Sequence, residues 1–265
     1  MPAPTLMRLR AAAAPALVAI LLLGACAGER PELNAKAEPS TTTAPQTTTT
    51  APTHPPSVVA QAKDSSIQVF DDASAADPTS RFEGGEITAA EATSAPGIPI
   101  VFLVKDPVEA SGRYEVYLPV RPNGSTGWVR ADDVDITTVD YHVEVTVAEH
   151  RIRVFSGDEV MLDEPVGVGT ADLPTPGGIY YLKELLQPPN PNGAYGVYAY
   201  GLSGFSNELT SFNGGDGVIG IHGTNDPGSI GSDVSHGCIR MNNDAITRMV
   251  DEIGLPLGTP VEIIA

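Results

Sequence analysis

Short apolar runs that alternate with polar residues, each closed by a turn former, limit what this chain can become. Val143, Val145 and Val147 alternate with polar neighbours, Ile152 and Val154 repeat the pattern, and Ser156-Gly157-Asp158 separates two such runs. A period of two sends successive side chains to opposite faces of a strand, so each segment buries one face and wets the other. Upstream, residues 67–70, 98–104 and 114–120 are also β-rich, and Pro122-Asn123-Gly124 ahead of Gly127-Trp128-Val129-Arg130 is a hairpin signal. Residues 178–183 and 218–221 are further candidate strands, the second delivering His222 at its end. These elements predict a mainly antiparallel, mainly β fold. One helix is expected near the end: Ile246, Met249, Val250 and Ile253 stand at i, i+3, i+4 and i+7, with Asn242 or Asn243 to cap it and Gly254 to stop it.

The N-terminal part cannot join such a core. Arg8 and Arg10 precede an apolar stretch, residues 11–23, that is short for a bilayer span, and Leu23-Gly24-Ala25-Cys26 follows. Residues 1–25 therefore read as an export signal. Small residues directly before a cysteine resemble the bacterial lipobox, which makes Cys26 the expected lipidation site; the alternative is an ordinary secretory peptide with an incidental cysteine. Residues 26–57 are mostly Ala, Glu, Pro and Thr, a composition that builds no core and predicts a disordered linker. In a polyproline-like state about thirty such residues reach on the order of 90 Å. The expected location is extracytoplasmic, lipid-anchored to the cell membrane and facing the cell wall.

Loss of the signal removes Arg8 and Arg10 from 15 basic residues, leaving 13 against 33 acids, a net charge of −20. Such a surface argues against nucleic acid as a partner and against electrostatic adhesion to anionic lipid, so a membrane is met through the anchor alone. The rest divides near residue 138 into segments 58–137 and 138–265. The strand pattern of residues 114–134, with Gly127-Trp128-Val129 after the hairpin, resembles the SH3-like barrels attached to many cell-wall enzymes. Trp128 is read as core in preference to a ligand platform, and no site is assigned to this segment.

Chemistry concentrates near the C-terminus. Cys238 lies in Ser235-His236-Gly237-Cys238-Ile239-Arg240-Met241, and with Cys26 assigned to the lipobox it has no disulfide partner. A thiol of pKa near about 8.5 is mostly protonated at neutral pH, so a nucleophilic cysteine gains from a nearby imidazole or aligned backbone dipoles. His222 lies sixteen positions upstream, but residues 223–231 are rich in turn formers that fold the chain back. Gly237, next to the thiol, lets the N–H groups of Gly237 and Cys238, with His236, face a developing oxyanion. A zinc site from His222, His236 and Cys238, helped by His142 or His150, is the rival use of these residues. Its spacing, H-x13-H-x-C, matches no common zinc pattern.

His222-Gly223-Thr224-Asn225 together with Ser235-His236-Gly237-Cys238-Ile239-Arg240-Met241 resembles the signature of the L,D-transpeptidase catalytic domain, also called the YkuD domain. Thr175-Pro176-Gly177-Gly178 ahead of a strand, the terminal helix and Gly258-Thr259-Pro260-Val261 fit the same family. The resemblance implies an SH3-like small barrel followed by a YkuD-type β-sandwich with one C-terminal helix, acting on peptidoglycan stem peptides with no cofactor and no metal. It implies that Cys238 attacks the third residue of a tetrapeptide stem, expels D-alanine and holds the acyl group as a thioester. His222 or His236 shuttles the proton, with His222 preferred and the Gly223 carbonyl orienting its ring; for His236 a role in shaping the oxyanion turn beside Gly237 is preferred to proton transfer. A diamino-acid amine of a second stem then completes a 3→3 cross-link, whereas water would make a carboxypeptidase and a protein amine would attach that protein to the wall. In many relatives carbapenems acylate the same cysteine. Substrate contacts are expected from Arg240, Ser235, Thr224 and Tyr200, although Arg240 serves equally in a local salt bridge. Residues 187–213, rich in Pro, Asn, Gly and Tyr, are expected either to cover the site or to plug the sheet edge with Tyr195, Tyr198, Tyr200 and Phe205. A noncatalytic wall-binding module of the same fold is the remaining alternative.

Overall fold

The computed structural model describes residues 53–211 and 215–265. The export signal, Cys26 and most of the linker lie outside the described residues. The last linker residues do not hang free: the Thr53 N–H donates to Asp158 at 2.7 Å, and the His54 ring stacks between those of His142 and Phe155 at 4.6 and 4.3 Å.

Seven strands form the N-terminal part: β1 (Ser57–Ala62), β2 (Ser66–Gln68), β3 (Glu86–Thr88), β4 (Val101–Ala110), β5 (Arg113–Tyr117), β6 (Thr126–Arg130) and β7 (Val134–Val139). Five of them make an antiparallel sheet in the order β6-β5-β4-β1-β7, while β2 and β3 form a separate pair beside the short helix α1 (Ala89–Ala92). The Asn123-Gly124 turn joins β5 to β6 as the dipeptide predicts, Gly124 taking φ 79°. Asp140 alone separates β7 from the next strand, so the break between the two sheets comes slightly after residue 138.

The C-terminal part continues with β8 (Tyr141–Thr146), β9 (Arg151–Ser156), β10 (Glu159–Pro165), β11 (Val168–Gly169), β12 (Gly178–Leu186), β13 (Ala199–Phe205) and β14 (Val218–His222). It ends with β15 (Asp233–Ser235), β16 (Ile239–Arg240), the helix α2 (Asn243–Thr247) and β17 (Pro260–Ile264). Eight of these strands form one sheet, β10-β9-β8-β17-β12-β13-β14-β16, and β11 pairs with β15. The pairs β8–β17 and β14–β16 are parallel and the rest of the large sheet is antiparallel.

Alternation does what the sequence predicts. Val143 faces Val154 and Val145 faces Ile152 across β8 and β9, and Val261 and Ile263 of β17 line up with Val143 and Val145 from the other side. All of these are buried in one cluster with Leu182, Leu202, Ile219, Ile221 and Ile239. Onto it α2 sets Ala245 and Ile246, while Met249 follows in a π-helical stretch, Arg248–Ile253. Gly254 stops this helix in the left-handed region at φ 70°. The expected regular helix is thus half π-helix, and its N-cap, Asn242, makes no side-chain cap bond.

The two sheets meet through Val59, Val101, Leu103 and Val139 on one side and the fully buried Tyr181 on the other. Polar groups cross the same seam: Ser94 gives both its N–H and its hydroxyl to Glu184, at 2.6 and 2.8 Å.

Candidate active site

The parallel pairing of β14 with β16 closes the sixteen-residue gap. Ile221 lies opposite Ile239 and His222 opposite Arg240, so Cys238, one residue before β16, comes level with Gly220. A backbone hydrogen bond with Gly220 reaches the Cys238 sulfur. His222 and Cys238 line one cleft of about 110 Å³, together with Tyr195, His236 and Arg240.

Geometry fixes the state of His222. Its Nδ1 lies 2.6 Å from the Gly223 carbonyl, and a carbonyl only accepts, so Nδ1 carries the proton and Nε2 keeps its lone pair. Burial pushes His222 down to about 4, against a rise from the Gly223 bond; the Arg240 charge adds to the lowering. The ring is therefore neutral at neutral pH. Burial also pushes the Cys238 thiol up, opposed by the Gly220 bond and then by the Arg240 charge. The resting pair is a neutral thiol beside a neutral imidazole whose free nitrogen is an acceptor.

The loop carrying Gly223 is held from two sides. The Gly223 N–H donates to the Tyr198 carbonyl at 3.0 Å, and Asn243 Oδ1 accepts the Thr224 N–H at 3.1 Å. A Cβ on either Gly223 or Gly196 would collide with Asn243 Oδ1, so both positions admit glycine alone without rearrangement. This crossing brings Tyr195 edge-on against the His222 ring, centroids 4.9 Å apart.

Several expected contacts fall elsewhere. Tyr200 is not in the cleft: it is 1% exposed in the core, its hydroxyl 3.4 Å from the Leu255 carbonyl. The reason is that residues 199–205 are not loop but β13, paired on both sides, which turns Tyr200 inward and buries Phe205 as well. Tyr198 points to Asp251, leaving Tyr195 as the one of the four aromatics that faces His222. Thr224 is buried and its hydroxyl accepts the Asp226 N–H, a turn role. Ser235 lines the cleft, yet its hydroxyl donates to the Cys238 carbonyl at 2.6 Å and accepts the Gly237 N–H at 3.1 Å. That second bond occupies the Gly237 N–H, which the sequence assigns to an oxyanion; Cys238 N–H makes no hydrogen bond to any described residue. Gly237 itself sits at φ 113°, so its role is to let the turn close. Arg240 lines the cleft and forms no ion pair among the described residues. His142 and His150 lie on other partners, Glu262 and Asp233, and among the described residues no group of three His, Cys, Asp or Glu side chains is placed to hold a metal ion.

A thiol and an oriented imidazole sharing a cleft are the parts of a nucleophilic acyl-transfer site. The L,D-transpeptidase catalytic domain (YkuD) matches residues 140–263. The protein YkuD of Bacillus subtilis, which bears an L,D-transpeptidase name, is 34% identical over 129 residues, 49% of this chain and 69% of its own length. The chain belongs to the L,D-transpeptidase family. A second relative in this family, ErfK/SrfK of Salmonella typhimurium, is 30% identical over 184 residues, 59% of this chain and 54% of that protein. Among solved structures, the Enterococcus faecium L,D-transpeptidase C442S mutant aligns at 20% identity and TM-score 0.36, covering 48% of this chain and 50% of that one. The chain thus spans about half the length of that enzyme and of ErfK/SrfK. The family match covers the half that holds the cleft, and the fold is the family's mainly β half-barrel with one short C-terminal helix.

Proposed function

We propose that this chain is a peptidoglycan L,D-transpeptidase that joins stem peptides by 3→3 cross-links through a thioester on Cys238. The observation that carries the reading is the His222 tautomer: with Nδ1–H donated to Gly223, Nε2 is the base available to a thiol in the same cleft. Cys238 Sγ attacks the carbonyl carbon of the third stem residue as its proton passes to His222 Nε2. The oxyanion formed takes the Cys238 N–H as a donor. The C–N bond to D-alanine breaks, His222 returns the proton to the leaving amine, and a thioester remains. The amine of a second stem then attacks the thioester, gives a proton to His222 and leaves a new amide, the thiolate recovering that proton.

The raised thiol and the lowered imidazole favour the neutral pair over a thiolate–imidazolium pair in the resting site. Proton transfer is thus coupled to attack. Arg240, uncommitted among the described residues, is suited to a carboxylate of the donor stem. Tyr195 packs against the His222 ring and covers part of it, which favours capture of the thioester by an amine over water. An extracytoplasmic, lipid-anchored location through Cys26 belongs to the same proposal, since wall precursors lie there.

Incubating the protein with a disaccharide tetrapeptide, with Cys238→Ala alongside, tests the reading by mass spectrometry. A dimer lacking one D-alanine that disappears in the variant is the expected product. Loss of D-alanine without a dimer would mean hydrolysis, and no change at all would leave a wall-binding module.

A further inference from the structure

We infer that Arg121, in the turn between β5 and β6 of the N-terminal sheet, is a positioning residue for the active-site cleft, holding in place the wall to which residues 206–211 and 215–218 contribute. The kinetic arm of this inference rests on the proposed function; its structural arm does not.

Ser206, Leu209, Gly217 and Val218 line the cleft that holds Cys238. Three of the four lie beyond the ends of β13 and β14, where backbone carbonyls no longer have a strand beside them and need other donors. Arg121 supplies them. Its Nη1 donates to the Ser206 carbonyl at 2.7 Å, and Nη2 donates to the carbonyls of Leu209 and Asp216 at 3.0 and 2.8 Å. The same guanidinium lies 4.9 Å from the centroid of the Phe205 ring. Two residues on, Asn123 pairs with both polar groups of the Phe205 backbone, Nδ2 donating to its carbonyl at 2.8 Å and Oδ1 accepting its N–H at 2.9 Å. The side-chain amide replaces a neighbouring strand at the point where β13 ends.

Gly217 shows how closely the pieces fit. It takes φ 69°, and a Cβ there would collide with the Leu209 carbonyl and stand 3.3 Å from Arg121 Nη2. The Ser206 N–H donates to the Gly217 carbonyl at 2.8 Å, closing the wall on itself. Only a planar fork with several donors reaches three carbonyls from one side chain; an ammonium is a compact point charge and does not. The N-terminal sheet on this account helps to shape the cleft and is not merely a spacer.

The test compares the full-length protein with its Arg121→Ala and Arg121→Lys variants. Arg121→Ala is expected to raise KM for the tetrapeptide donor about tenfold with kcat changed by no more than about threefold, the size expected for losing charged hydrogen bonds that shape a wall. Alkylation of Cys238 by iodoacetamide, which needs no wall, should stay within about twofold. Amide hydrogen exchange in residues 205–211 and 215–219 should accelerate about tenfold while β8 and β9 hold their protection, and Arg121→Lys should recover little of either loss. An unchanged KM, or a raised KM with unaltered exchange, overturns the inference. If the wild-type protein does not turn over the tetrapeptide, the proposed function fails and exchange alone decides: local acceleration supports the positioning role and its absence overturns it. Should Arg121→Ala fail to fold, Asn123→Ala, which removes two bonds of the same clamp, is read in the same way.

Discussion

His222 on β14 and His142 on β8 stand four strands apart in one sheet, and burial pushes both down to about 4. Their surroundings differ in everything else. The His142 ring is stacked on His54, its Nε2 lies 3.7 Å from a Glu262 carboxylate oxygen, and it does not line the cleft that holds Cys238. His222 has one nitrogen fixed by a carbonyl, its ring packed at an angle against Tyr195, and a cysteine in the same cleft. Suppressed basicity is thus a by-product of burial at either end of the sheet. Orientation and a reacting neighbour separate a candidate base from a structural histidine.

The largest effect should come from the thiol. Cys238→Ala is expected to reduce D-alanine release from a tetrapeptide by about 10³-fold or more, measured by product mass spectrometry, since no other described side chain in the cleft is a comparable nucleophile. Next in size, His222→Gln should lower kcat by about 10²- to 10⁴-fold, the range of a lost general base, while His142→Gln should leave it within about twofold. Equal losses for the two histidines in steady-state assays would break the distinction between them.

Much of this was legible before any coordinates. The alternation of Val143, Val145, Ile152 and Val154 survives as paired, buried faces because period two leaves a strand with one apolar side and few other options. The joint presence of His222 and Cys238 in one site was legible because the intervening residues are turn formers. Parallel pairing was not, since nothing local announces which strand a two-residue segment such as Ile239–Arg240 will join. Tyr200 was misplaced for a related reason: Pro, Asn and Gly around it read as loop, yet residues 199–205 are a central strand whose glycines, Gly201 and Gly204, make room for Glu184 and Tyr180. The Ser235 hydroxyl and the Arg121 clamp depend on distances between segments, and single-sequence patterns carry no distances.

The two histidines should act together on stability. Each has a folded value near 4 against an ordinary value of 6.5, so between these limits the unfolded chain binds more protons than the folded one. Stability therefore rises with pH from about 4 to about 6.5 and falls on acidification, by up to about 1.4 kcal/mol per pH unit for each fully buried histidine. His142 keeps 18% of its side chain exposed, and its share is smaller. Urea unfolding at pH 7, 5.5 and 4.5 measures the slope. His142→Phe, which keeps a ring to stack on His54, should flatten it in part, the remainder being due to His222 and to carboxylates. An unchanged slope would mean that His142 takes up its proton as readily in the folded chain as in the unfolded one, and the comparison would lose its physical basis.

The smallest effect should come from Asn243, which has no counterpart near His142. Its Oδ1 accepts the Thr224 N–H and wedges between Gly196 and Gly223, so it fixes the backbone whose carbonyl holds His222 Nδ1. Asn243→Ala removes one hydrogen bond and leaves a buried N–H short of a partner, a loss of about 1–3 kcal/mol in stability by denaturant titration. It should also loosen the His222 ring and lower kcat several-fold without touching any reacting atom. Asn243→Asp keeps the acceptor oxygen and should restore most of kcat, because the Thr224 N–H regains its partner even though a negative charge is introduced. If Asn243→Ala lowers stability but leaves kcat intact, the Gly223 carbonyl holds the ring without help from this loop, and the orientation of His222 then depends on β14 alone.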